Sequence, residues 1–197
     1  MIIFQKMSSR RFCFLSCGIL KNEIIKLVPD KFKADVIFLS PKLHLDLDKL
    51  KRMLIKNISD LRTIYEDKVL VIYGDKCHPE IEEIIKKYKV RKLKGINCID
   101  FLLGGKLKDI DPENQYIYLS PGWLENLEIF KEALSSQKNL KEIFKKYKGI
   151  CLLDTIDNIS NYKKEVKDFS EFSGLNVIQI KKIGLKGLED LIRSCIS

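Results

Sequence analysis

Six cysteines and two histidines are spread unevenly along the 197 residues. Cys17, Cys77 and Cys98 each stand where an apolar, β-preferring run gives way to a turn, in SCGIL at 16–20, YGDKCHP at 73–79 and NCIDFLLGG at 97–105. His44, in SPKLHLD, and His78, beside Cys77, stand at such exits too. A thiol at a strand-to-helix turn meets unpaired N–H groups and the positive end of the helix dipole. Both favour thiolate, the form that binds metals and attacks electrophiles. Three thiols in that setting exceed what packing requires, so Cys17, Cys77 and Cys98 are read as metal ligands converging on one cleft. Cys13 and Cys151 fall inside apolar runs and Cys195 in the last helical segment, where cysteine serves as a small hydrophobe.

The remaining site candidates each have a structural alternative. His44 either contributes imidazole to the site or caps the helix that follows, and His78 is expected to be an N-cap. Gly18 and Gly122 flank the site at turns. Trp123, in LSPGWLE, either walls a cofactor pocket or packs over its own helix. Asp154 and Asp157, in LLDTIDN, either bind a cation or hydroxyl or cap a helix. Gly18, His44, Gly122, Trp123 and Asp154 are therefore grouped as cofactor-binding candidates. The chain has no CxxC pair, no GxGxxG, no Walker A loop and no GxSxG elbow, which argues against ordinary dinucleotide, P-loop and hydrolase chemistry.

The elements that must position these residues follow from hydrophobic period. Strands are predicted at Phe12–Ser16, Asp35–Ser40, Lys68–Tyr73, Val90–Lys94, Tyr116–Ser120, Ile150–Asp154 and Val177–Ile180, with segments of helical period between them. Strand then helix, repeated, implies an α/β fold: an open, mostly parallel sheet with helices on both faces, Rossmann-like and three-layered. In such folds ligands bind beyond the carboxyl ends of the strands, where the candidate residues lie. FLSCGIL, FLSPKLH and YLSPGWL each leave a strand through Leu-Ser, which is attributed to shared turn chemistry.

At 197 residues one hydrophobic core suffices, so residues 10–197 are expected to form a single domain after a flexible leader over 1–9, with Met7 as a candidate start. Apolar runs are far short of the roughly 20 residues needed to cross a bilayer, and Phe12–Ser16 is too short for a secretory core. With no disulfide-framework traits, reduced thiols in a cytoplasm are expected. The net charge of +9 comes mostly from lysines interspersed with acids, a pattern of solvated faces rather than of nucleic-acid binding.

SCGIL, the LH of SPKLHLD, YGDKCHP, NCIDFLLGG, LSPGWLE and LLDT together, in this order and spacing, resemble the family catalogued as domain of unknown function 1638. The resemblance runs from Arg11 onward. It implies occurrence in methanogenic archaea and anaerobic bacteria, a genomic setting beside corrinoid-dependent methyltransferases, and no established activity. Cys17, Cys77, Cys98, Gly122 and Trp123 match the family's motifs. Many members have Gly after the second cysteine and His-Asp before the third, where this chain has His78 and Ile96-Asn97.

The leading expectation is a cytoplasmic protein that holds an iron–sulfur cluster or zinc through Cys17, Cys77 and Cys98, accessory to corrinoid-dependent methyl transfer. Soft sulfur selects such metals, and the anaerobic distribution implied by the resemblance favours a cluster. The alternatives are a metal-free thiol enzyme, with Cys77 as nucleophile and His44 or His78 as base, and a non-catalytic protein that binds partners of the corrinoid methyltransferase system.

Overall fold

The computed structural model describes residues 11–135 and 139–196; the leader proposed for 1–9 lies outside them. In chain order the strands are β1 (Phe12–Cys17), β2 (Ala34–Leu39), β3 (Val69–Ile72), β4 (Arg91–Lys92), β5 (Tyr116–Leu119), β6 (Gly149–Asp154) and β7 (Val177–Lys182). The helices are α1 (Lys21–Lys31), α2 (Leu47–Tyr65), α3 (Ile81–Tyr88), α4 (Cys98–Leu102), α5 (Leu107–Ile110), α6 (Pro121–Glu125), α7 (Leu127–Ser135), α8 (Leu140–Lys145), α9 (Lys163–Ser173) and α10 (Lys186–Ile196). The fold is α/β, with parallel strands flanked by helices.

The strands divide between two parallel sheets, ordered β2-β1-β3-β4 and β5-β6-β7, where a single sheet was expected. The break falls at β4, which is only two residues long and charged. Arg91 donates to the Cys195 carbonyl and Lys92 pairs with Asp75 and Glu82. A short, charged edge offers little backbone for another strand, so β5 begins a new sheet.

Central strands are apolar on both faces because helices cover both. All of β3 is buried, as is β1 from Cys13 to Cys17, and Phe14 sits in register with Val36 on one side and Leu70 on the other. Along α2 the buried Leu50, Leu54, Ile58 and Leu61 recur at helical spacing, and Asp46 accepts from Lys49 N at 2.8 Å to cap the helix. One core cluster joins Phe14 and Val71 of the first sheet to Cys151 and Leu153 of the second and to Leu188 and Ile192 of α10. A second cluster packs β5 and β6 against Leu127, Phe144 and Phe169.

The order β2-β1-β3 fixes where a ligand is accommodated. The chain leaves β1 to one side for β2 and then crosses to the other side for β3. The exits of β1 and β3 thus flank a topological switch point, where the connections diverge and leave a crevice.

Candidate functional site

Five segments meet at that crevice. Cys17 ends β1 and leads into a 3-10 turn at Gly18–Leu20. A second 3-10 turn, Pro41–Leu45, carries His44; it starts with Pro41, and the Ser40 hydroxyl accepts from Lys42 N at 3.3 Å. Tyr73 and Gly74 leave β3, and Cys77 N donates to Gly74 O at 3.0 Å to close the next turn. Cys98 opens α4 behind Asn97, whose side chain accepts from Asp100 N at 2.9 Å. Trp123 comes from α6, after β5, so the second sheet contributes a wall.

Backbone contacts rather than side chains lock these segments together. A Cβ on Gly74 would lie 2.3 Å from Ile96 O, and Asp75 N and Lys76 N donate to the carbonyls of Gly95 and Ile96. The exit of β3 is thereby laced to the approach to Cys98. The buried Asp100 fixes that approach, since its carboxylate accepts from Ile96 N at 2.9 Å and from Leu107 N at 3.0 Å. A Cβ on Gly122 would lie 1.8 Å from Ile19 O, so glycine alone lets α6 touch the turn that follows Cys17.

Cys17, Cys77, Cys98, His44 and Trp123 all line one cavity, as the sequence predicts for the three thiols. It holds about 590 Å³ of space free of atoms, including solvent at its mouth, and its walls are almost wholly apolar, with Phe101, Phe130 and Ile129 contributing. The indole Nε1 of Trp123 donates to Cys98 Sγ at 3.1 Å, and the His44 ring stacks on Tyr73.

Electrostatics overturns one expectation. Thiolates were anticipated at these turns, yet burial pushes Cys17 up to about 12, Cys98 well above its ordinary range and Cys77 up as well. Backbone bonds involving Ile19, Gly74 and Ile99 act in the opposite sense but are the smaller influence. The reason is local. Cys17 is set apart from the start of α1 at Lys21 by a 3-10 turn, α4 has only five residues, and α3 starts at Ile81, so Cys77 does not stand at its first turn. Short helices, or helix starts set a turn away, supply little dipole at the sulfur, whereas the apolar cavity penalises charge. Neighbouring sulfurs raise one another further, Cys98 responding to both Cys17 and Cys77. Burial likewise lowers the pKa of His44, against the opposing bond to the Pro41 carbonyl, and so favours the neutral imidazole.

The donor types suit a soft metal, being three sulfurs on separate segments around one apolar space. Their separation does not yet suit it: among the described residues, no group of three or more His, Cys, Asp or Glu side chains is arranged to hold a metal ion. Binding by all three would require the turns to draw in.

Other sequence candidates lie outside the cavity. Gly18 faces an adjacent groove with Lys21 and Ser40, and Gly122 is a packing contact. Asp154 accepts from Asn158 N at 3.0 Å and Ile159 N at 3.4 Å, which is a capping role. Asp157 pairs with Lys182 at 2.6 Å. His78 is buried and accepts from Glu80 N at 3.0 Å in the turn before α3; the N-cap of that helix is Glu80, not His78 as expected. His44 does not cap α2; Asp46 does, and His44 Nδ1 lies 3.3 Å from Pro41 O. Cys13 and Cys151 are buried in the core, while Cys195 is half-buried at its margin.

Sequence reading missed Tyr73, Asp100 and Glu23. Asn97 is a recognisable N-cap residue three positions before Asp100, although the Asp100 carboxylate reaches back to Ile96 N rather than closing a capping box on Asn97 N, and Tyr73 reads only as the end of a strand. Glu23 is fully buried and accepts from Thr155 Oγ1 at 2.8 Å, joining α1 to the exit of β6; nothing in helical period marks it.

A family model described as "Protein of unknown function (DUF1638)" matches residues 38–192. That range includes Cys77, Cys98 and Trp123 and begins after Cys17. No curated protein and no solved structure matches the chain.

Proposed function

The chain belongs to that family, DUF1638, and from the cleft at its switch point we propose that it binds a soft metal centre, an iron–sulfur cluster or zinc, through Cys17, Cys77 and Cys98. The observation that supports this reading is the meeting of three thiols, from three separate segments, around one apolar cavity. Bound metal would supply the positive charge that the cavity lacks and turn each thiol into a thiolate, so uptake releases protons. The thiols' raised pKa values set the cost of that release, and burial in an apolar wall protects the metal–sulfur bonds once formed. Three protein ligands leave a coordination position for a further ligand. The six cysteines are free, which supports a reducing, cytoplasmic setting.

A second reading, a metal-free thiol enzyme acting through Cys77, is favoured by one specific feature. Cys77 is the least buried of the three, and the Lys92 ammonium pulls its pKa down against the effect of burial. His44, on the same cavity, is the available base.

Anaerobic purification followed by metal analysis and an absorption spectrum separates the two. Iron with labile sulfide, or stoichiometric zinc, is expected. A metal-free protein with one hyper-reactive thiol would establish the second reading instead.

A further inference from the structure

The polar atoms of the cleft include, besides the thiols, a pair on stacked rings. Tyr73 and His44 lie with ring centroids 6.1 Å apart and planes inclined by 13°. Tyr73 is fully buried, and among the described residues its hydroxyl has no hydrogen-bond partner of standard geometry. A buried orphan of this kind is costly unless something satisfies it. The Cys17 thiol is the nearest candidate partner and acts on the hydroxyl as a hydrogen-bonding neighbour, with Cys77 adding a charge effect, but neither sulfur makes a bond of standard geometry to it.

His44 is complementary. Its Nδ1 faces the Pro41 carbonyl at 3.3 Å, and a carbonyl only accepts, so Nδ1 carries the ring proton. Nε2 then presents a lone pair and makes no hydrogen bond among the described residues. One wall thus holds an unused donor and an unused acceptor. Among the described residues no lysine or arginine lines the cavity, and Lys92, which influences Cys77, is engaged by Asp75 at 2.5 Å and Glu82 at 3.1 Å. An anion would find no counter-charge there, whereas Phe101, Trp123 and Phe130 offer flat apolar surface.

We propose that Tyr73 and His44 form a hydrogen-bonding subsite for a small uncharged ligand with an apolar body and one hydroxyl-type group, which accepts from Tyr73 and donates to His44 Nε2. The inference uses the cleft of the preceding reading but requires no metal in it.

The test is an NMR titration of the full-length, metal-free protein with phenol, toluene and benzoate. Phenol is expected to bind about tenfold more tightly than toluene, as one to two net hydrogen bonds imply, and benzoate more weakly than either. Tyr73→Phe should abolish the preference for phenol, leave toluene binding in place and not lower the thermal midpoint, because it deletes an unsatisfied hydroxyl. His44→Leu, on the 3-10 turn that lines the cavity, tests the acceptor by a second route and should reduce the same preference. Equal affinity for phenol and toluene, tightest binding of benzoate, no binding of any probe, or a preference unchanged in both variants would overturn the proposal. Metal content is measured on separately prepared protein, so failure of the metal reading and failure of the subsite remain distinguishable.

Discussion

Trp123 reaches across from the exit of β5 to donate its indole N–H to Cys98 Sγ at 3.1 Å, so the second sheet holds a thiol carried by the first. An N–H donor stabilises thiolate over thiol, and here it works against the burial that keeps Cys98 protonated. The same bond ties the sheets together on the cavity's own wall.

Trp123→Phe should therefore cost about 1 kcal/mol in urea denaturation, since the aromatic packing on Phe130 survives and the hydrogen bond does not. It should also slow alkylation of Cys98 at a given pH. Trp123 is the chain's single tryptophan, so in the native protein the modification of Cys98 should change the intrinsic fluorescence directly.

Gly122→Ala and Gly74→Ala should be the most damaging small substitutions in the molecule. Each would drive a methyl group into backbone, 1.8 Å from Ile19 O and 2.3 Å from Ile96 O. Losses of about 3 kcal/mol or more are expected. Gly174→Ala is the control: it has φ +72° but nothing within 4 Å, so only conformational cost of about 1 kcal/mol remains. Equal urea midpoints for the three variants would contradict the close-approach argument.

Stability should fall in alkali. Burial pushes the thiols of Cys13 and Cys17 up to about 12, above the roughly 8.5 of an unfolded thiol. The folded chain keeps protons that the unfolded chain releases, so this contribution is complete below about pH 8.5 and is lost as pH rises toward about 12. Urea midpoints across that window should decline, and less steeply in Cys13→Ala. Glu23 behaves alike at lower pH: burial raises its carboxyl pKa, so stability is lost as pH rises through the raised value. Glu23→Gln, which retains an acceptor for Thr155, should be more stable than the native protein at pH 7.

His78→Ala should cost about 1 kcal/mol, through loss of the bond from Glu80 N, without changing ligand or metal binding in the cleft. A binding defect in a fully folded His78→Ala protein would put the imidazole back among the site residues.

The strands were legible because apolar, β-branched runs such as VLVI at 69–72 are buried on both faces, and the convergence of Cys17, Cys77 and Cys98 followed from their standing at parallel strand exits. What periodicity does not carry is depth. Whether a turn cysteine meets dipole or oil depends on how long and how near the next helix is and what packs over it, and the short α4 and the 3-10 turn that separates Cys17 from α1 decided for oil. Tyr73 and Glu23 were invisible for a related reason: their roles come from partners far away in sequence. The split into two sheets turned on β4 being two residues long, a boundary that a run reading VRKLK does not mark.

Metal stoichiometry of anaerobically prepared native protein and of Cys17→Ser, Cys77→Ser and Cys98→Ser puts the three-thiol site to its most direct test. A hydroxyl is a poor substitute for thiolate toward soft metals, so the native protein should carry metal and all three variants should lose it to a similar extent, while Cys13→Ala and Cys151→Ala retain it. Full occupancy in all three serine variants, or a native protein with no metal at all, would contradict the assignment.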